Sequence, residues 1–209
     1  MPAIATPAES RFLLRNISWE TYERLLGESI DNCGTRFTYS EGNLEIMVVS
    51  AGREKPNRTL ASIVELTAIE TDRDFVRTGS TTFKRLDLEK GFEPDSSFYF
   101  ERADAIRDRD EIDLSVDPPP ELVIEVDITN SSLHRFPIFA SVGVEEVWRY
   151  DGGRVQFHRL EGASYRRIEE SLVLPPMTAA QATFLLEQVR RMKAPQWDRA
   201  VRSWVRSQI

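Results

Sequence analysis

The stretch Glu121–Ile128, ELVIEVDI, constrains the fold of this chain more than any other. Its nearly continuous hydrophobicity predicts a central strand covered on both faces. Such a strand needs a sheet with helices packed against it. Two acids interrupt the run. Strand alternation puts Glu125 and Asp127 on one face, where neighbouring carboxylates repel one another and lose hydration. A divalent cation removes both penalties, and Mg²⁺ takes hard oxygen ligands, few of them from protein. The alternative is an exposed edge strand, or acids paired with arginines in a structural ion network. Val123, Val126 and Ile128 surround the acids with apolar residues and argue for the central position. Upstream, Pro94-Asp95 precedes another strand candidate; alone it is a common turn dipeptide.

The remaining pattern supplies the sheet and its cover. Ser18 caps a helix whose Trp19, Tyr22, Leu25 and Leu26 share a face, with Thr21 three residues after the cap. Thr35–Ser40 and Leu44–Val49 read as strands joined by the turn residues Glu41-Gly42-Asn43. A second helix is expected over Pro56–Thr71, with Pro56 in its first turn and Leu60, Ile63, Val64 and Ala68 as its apolar stripe. Strands are expected at Phe75–Thr78, Thr81–Arg85 and Ser96–Phe100. A short helix and loop follow over Glu101–Asp117, stopped by Pro118-Pro119-Pro120. Ser132–Val142 reads as a helix limited by Pro137 and closed by Gly143. Glu146–Tyr150 and Arg154–Leu160 form a hairpin, and the tail holds helices over Ala179–Met192 and Gln196–Ser207, separated by Ala194-Pro195. The fold class is α/β (α+β): a mixed sheet flanked by helices, with C-terminal helices.

Composition narrows the function. With 209 residues, 41 % hydrophobic and 29 % charged, the chain has enough apolar sequence for one buried core. Its single cysteine, Cys33, cannot close an internal disulfide, which fits a reducing cytosol. The N-terminus lacks a basic segment followed by an apolar one, and no run reaches the ~20 apolar residues of a membrane span. A cytoplasmic protein is expected. The net charge of -7 counts against simple coating of nucleic acid but not against a site built from carboxylates. No glycine-rich phosphate loop, nucleophilic serine or cysteine context, or zinc spacing is present, so a small-molecule enzyme has little support.

Three segments together resemble a known family. GSTTFKRLDLEKGFEPDSSFYF (Gly79–Phe100), PPPELVIEVDITNSSL (Pro118–Leu133) and FPIFASVGVEEVWRYDGGRV (Phe136–Val155) are similar to the Uma-type family of bacterial restriction-endonuclease-like proteins. The likeness runs from about Ile17 to Leu174. It implies the PD-(D/E)XK nuclease fold over residues 17–176, between an N-terminal extension at 1–16 and a helical extension at 177–209. It also implies a DNA endonuclease dependent on Mg²⁺ or Mn²⁺, acting on DNA as a homodimer and without a membrane. Residue by residue, the resemblance makes Asp95 the motif aspartate and Glu125 the acid of the following strand. Asp127 stands where the motif lysine would be. That lysine is relocated in the family to the next helix, where this chain has Arg135. Relatives read Glu-His-Glu before a Pro-Asn-Arg-like helix start, and this chain has Gly52-Arg53-Glu54.

The expected mechanism follows. Asp95, Glu125 and the Val126 carbonyl hold the metal, Asp127 adds charge, Glu54 orients a metal water and Arg135 contacts the scissile phosphate. Arginine stabilises charge but cannot act as a base. Arg135 with the missing histidine therefore keeps open a second reading: a catalytically weakened relative that binds nucleic acid or protein. Arg135 could also be a surface cation pairing with Glu54 or Asp127. His134 reads as an ordinary, partly exposed residue, and His158 as a packing residue of the outer hairpin. In the tail, Arg199, Arg202 and Arg206 share a helix face that could contact phosphates. The favoured reading there is a solvated amphipathic helix capping the domain.

Overall fold

The strand expected over Glu121–Ile128 forms over Leu122–Val126 and is buried along that length, whereas Asp127 beyond it is half-buried and Ile128 is exposed. The structure is a computed structural model that describes residues 10–29, 34–128 and 134–209. Cys33 and the expected helix start at Ser132 lie outside the described residues. In chain order the elements are β1 (Ser10–Arg15), α1 (Trp19–Glu28), β2 (Thr35–Ser40), β3 (Asn43–Val48), α2 (Ala51–Glu70), β4 (Val76–Arg77), β5 (Phe83–Arg85), β6 (Lys90–Phe92), β7 (Ser96–Tyr99), α3 (Ala103–Ile106), β8 (Leu122–Val126), α4 (Arg135–Val142), β9 (Glu146–Tyr150), β10 (Val155–Glu161), β11 (Ser164–Ile168), α5 (Ala179–Gln188) and α6 (Ala194–Arg206).

The strands form two sheets rather than one. The mixed sheet has the order β11-β10-β9-β8-β7-β4, with β8 and β9 parallel and the other pairs antiparallel. The second sheet, β1-β3-β2-β6-β5, is antiparallel throughout. Alternation along β8 divides the core. Leu122, Ile124 and Val126 pack with Leu60, Ile63 and Val64 of α2 and with residues of α5 and α6. Val123 packs on the other side with Phe92, Ile138, Phe139 and Val147. A smaller cluster places Tyr22 of α1 against Phe37, Tyr39 and Leu44 of the second sheet.

Several local signals act as the sequence implies. The Ser18 hydroxyl accepts from the Thr21 backbone N–H, and α4 ends on Gly143 at φ 87°, a left-handed geometry natural to glycine. Helix α2 begins earlier than Pro56: the Arg53 and Glu54 N–H groups already donate to the Ser50 carbonyl. Pro56 therefore sits inside the helix, where its ring removes the bond to the exposed Gly52 carbonyl. Strands β1, β6 and β11 were not expected, and Ala194-Pro195 opens α6 instead of preceding it. Helix α6 docks by Trp197, Val201 and Val205, while Arg202 and Arg206 donate to Glu70 of α2. Among the described residues, no helix is long and apolar enough to cross a membrane.

Candidate active site

The β7–β8 register fixes the centre of the site. Ser96 pairs with Ile124 and Ser97 with Val123, so one further step brings Asp95 opposite Glu125. Both side chains are buried. Two arginines, from different helices, fill the space around them. Arg53, in the first turn of α2, donates from Nε to Asp95 Oδ1 at 2.8 Å. Its Nη2 lies 2.7 Å from Asp95 Oδ2 and 3.1 Å from Glu125 Oε2. Arg135, at the start of α4, donates from Nη1 to both Glu125 oxygens at 3.0 Å. The Val126 backbone N–H completes the set, donating to Asp95 Oδ2 at 2.7 Å. Each of the four carboxylate oxygens thus accepts at least one N–H.

The backbone around Asp95 is held independently. Asn57, one turn after Arg53, donates to the Asp95 carbonyl at 3.0 Å, and its own amide oxygen accepts from Ser96 Oγ at 2.9 Å. A second ring of charge surrounds the centre. Glu45 of β3 is fully buried, accepts from Arg11 Nη1 at 3.1 Å and lies 3.7 Å from Arg135 Nη2. Asp127 follows the end of β8 and pairs with Arg149 of β9 at 2.8 Å, with Arg11 3.7 Å away. Among the described pairs, these four carboxylates meet four guanidiniums. Burial pushes the Glu125 carboxyl up; Arg135 opposes this, Asp95 adds to it and Arg53 opposes it. Burial pulls the Arg135 guanidinium down, but Glu125, with Asp95 and Glu45, outweighs it and the net direction is up.

The residues expected to act divide accordingly. Asp95, Glu125 and Arg135 meet. Glu54 instead accepts from Arg58 at 2.6 Å on the exposed side of α2. Among the described pairs, Arg135 is with Glu125 and Glu45 and not with Glu54 or Asp127. Val126 meets Asp95 through its N–H. Arg199 is exposed on α6, remote in sequence from this cluster, and Arg202 and Arg206 are engaged by Glu70. His134 is exposed, whereas His158 packs edge-on against Phe136. Sequence reasoning did not single out Arg11, Arg53, Glu45 or Arg149 as parts of the site. For Arg53 a signal existed: stepping back from Leu60 at helical spacing reaches Asn57 and then Arg53.

The arrangement does not fit a divalent cation. Magnesium needs carboxylate oxygens directed at it and near-ideal octahedral geometry. Here a guanidinium lies between the two acids, and among the described residues no group of three Asp, Glu, His or Cys side chains is placed to hold a metal.

Comparison with known proteins gives the chain a family. The Uma2 family model, "Putative restriction endonuclease", matches residues 19–189. The chain belongs to the Uma2 family. Arg53, Asp95, Glu125 and Arg135 all lie within the matched segment, and α6 lies beyond it. Restriction-endonuclease-like proteins as a class ordinarily use divalent metals. The chain is also similar to a solved structure described as a "putative nuclease belonging to DUF820 from Anabaena variabilis ATCC 29413". That likeness has 15 % identity and a TM-score of 0.47, over 72 % of this chain and 90 % of that one. No curated protein matches the chain.

Proposed function

We propose that this Uma2 chain engages DNA as a nuclease relative whose phosphodiester hydrolysis is suppressed. One observation carries the reading: all four oxygens of Asp95 and Glu125 accept N–H donors, three of them from Arg53 or Arg135 and the fourth from Arg53 and Val126 together. Metal-dependent hydrolysis needs a cation that acidifies a water and polarises the phosphate. In this site the negative charge that would hold such a cation is already neutralised. Arg135 stabilises anionic charge but cannot deprotonate water, and Glu54, the other candidate for positioning water, faces Arg58. The active-endonuclease reading keeps one supporting feature. Asp95 and Glu125 do converge, close enough for a single guanidinium to touch both.

The test uses the purified full chain, supercoiled plasmid, a labelled duplex and Mg²⁺ or Mn²⁺, beside Asp95→Asn. The expected result is salt-sensitive duplex binding with no nicking above the Asp95→Asn background. Nicking that Asp95→Asn abolishes overturns the suppression. Absence of duplex binding overturns the assignment to DNA.

A further inference from the structure

We infer that Arg53 is a built-in cation occupying the place of a divalent ion between Asp95 and Glu125, and that removing it uncovers a latent metal site. This deepens the suppressed-hydrolysis reading and rests on it.

Geometry separates Arg53 from the other cations of the cluster. Arg135 is within reach of Glu125 and Glu45. Arg149 and Arg11 serve the outer acids, Asp127 and Glu45. Among the described pairs, only Arg53 bridges the two central carboxylates, and it is 1 % exposed. A bridging, desolvated positive charge shared by two carboxylates is the electrostatic role a hard divalent ion fills.

Both acids are also held by groups other than Arg53. Asp95 is held at its carboxylate by the Val126 N–H and at its carbonyl by Asn57. Glu125 lies within β8 and is gripped by Arg135. Replacing Arg53 with an uncharged residue of similar length therefore leaves two fixed carboxylates facing one guanidinium. A buried pair of acids in that state takes up either a proton or a cation. Two preset carboxylates supply the hard oxygen ligands that Mg²⁺ and Mn²⁺ take, few of which need come from protein. Metal that binds the folded chain alone raises its melting temperature by mass action.

The experiment compares wild type, Arg53→Met and Arg53→Met/Asp95→Asn by calorimetric titration with Mn²⁺ and by thermal unfolding with and without Mn²⁺. Arg53→Met should bind Mn²⁺ at least about tenfold more tightly than wild type, a difference of about 1.4 kcal/mol. With Mn²⁺ about a hundredfold above its dissociation constant, Arg53→Met should melt roughly 5–10 °C higher than without it. Wild type should not respond, and the double variant should lose the response. If Arg53→Met does not fold without metal, refolding it in Mn²⁺ is the readout: recovery supports the inference, and failure to recover overturns it. An Arg53→Met protein that folds and ignores Mn²⁺ overturns the Arg53 assignment while leaving the suppressed-hydrolysis reading intact. Wild-type binding of Mn²⁺ as tight as that of Arg53→Met, with nicking that needs Asp95, overturns both.

Discussion

Asp95→Asn should destabilise this protein, and the sign of that effect separates a self-neutralised site from an acid pocket awaiting metal. The central four charges balance: Asp95 and Glu125 against Arg53 and Arg135. Asparagine keeps the shape and an oxygen for the Val126 N–H but removes one negative charge. Arg53, 1 % exposed, is then left with Glu125 Oε2 at 3.1 Å as its described anionic partner. Breaking a buried pair by removing one partner costs about 3–5 kcal/mol. Because asparagine still accepts hydrogen bonds, we expect somewhat less than that range, about 2–4 kcal/mol. For a chain of this length that corresponds to a melting temperature lower by roughly 5–15 °C. Urea unfolding in EDTA, followed by the fluorescence of the buried Trp148, measures it. In a pocket of unneutralised acids the same substitution would relieve repulsion and stabilise the metal-free protein. Asp95→Asn as stable as wild type in EDTA, or more so, refutes the argument. A cycle with Arg53→Met adds a control: the double variant should lose less than the sum of the singles, by about 1–3 kcal/mol.

Trp197→Ala should cost about 3–5 kcal/mol in urea unfolding, because Trp197 is 6 % exposed and its Nε1 donates to the Leu185 carbonyl at 2.8 Å. A loss below about 1 kcal/mol would mean that α6 is not anchored through this ring. His158 should make the protein acid-sensitive. Burial, then Arg149 and Arg167, pull its pKa down to about 4. The unfolded chain therefore binds the proton more readily, so stability is full above the unfolded value near 6.5 and falls as pH drops towards about 4. Allowing for the ring's partial exposure, the loss is of order 1–2 kcal/mol. His158→Gln should flatten that part of the stability–pH curve; identical slopes for the two proteins would remove His158 as the cause.

What the sequence made legible depended on whether the deciding interaction was local. The Ser18–Thr21 cap, the β2–β3 turn and the Gly143 stop are short-range chemistry, and each sits where its residues indicate. The apolar run of β8 identified a buried strand because burial on both faces leaves a composition that few other settings require. Strand β6 is three residues long, and β11, SYRRI, is largely exposed and carries two arginines. Neither has an alternating pattern that stands out, and both owe their conformation to the strands beside them. The second sheet was missed for the same reason: β1 and β6 join it through register with partners far away in sequence.

The acids of the site were legible and their neutralisation was not, and the difference is physical. Asp95 and Glu125 lie next to or within strands whose pairing register forces them together, so reading the strands finds the acids. Arg53 reaches them only because α2 starts at Ala51, five residues ahead of Pro56, the residue with the local signal for a helix start. That extra turn is held by tertiary charge pairing, with Arg53 on Asp95 and Glu125, and by Asn57 on the Asp95 carbonyl. Local propensity cannot report such an interaction, but periodicity can. Arg53 and Asn57 continue the buried stripe of Leu60, Val64 and Ala68. A charged residue on an apolar stripe requires a buried counter-charge, because an unpaired ion there is too costly to persist. In this chain the candidates for that counter-charge are the acids already picked out as metal ligands. Arg53, placed by helical spacing on a buried stripe, takes Asp95 and Glu125 as the anions that neutralise it.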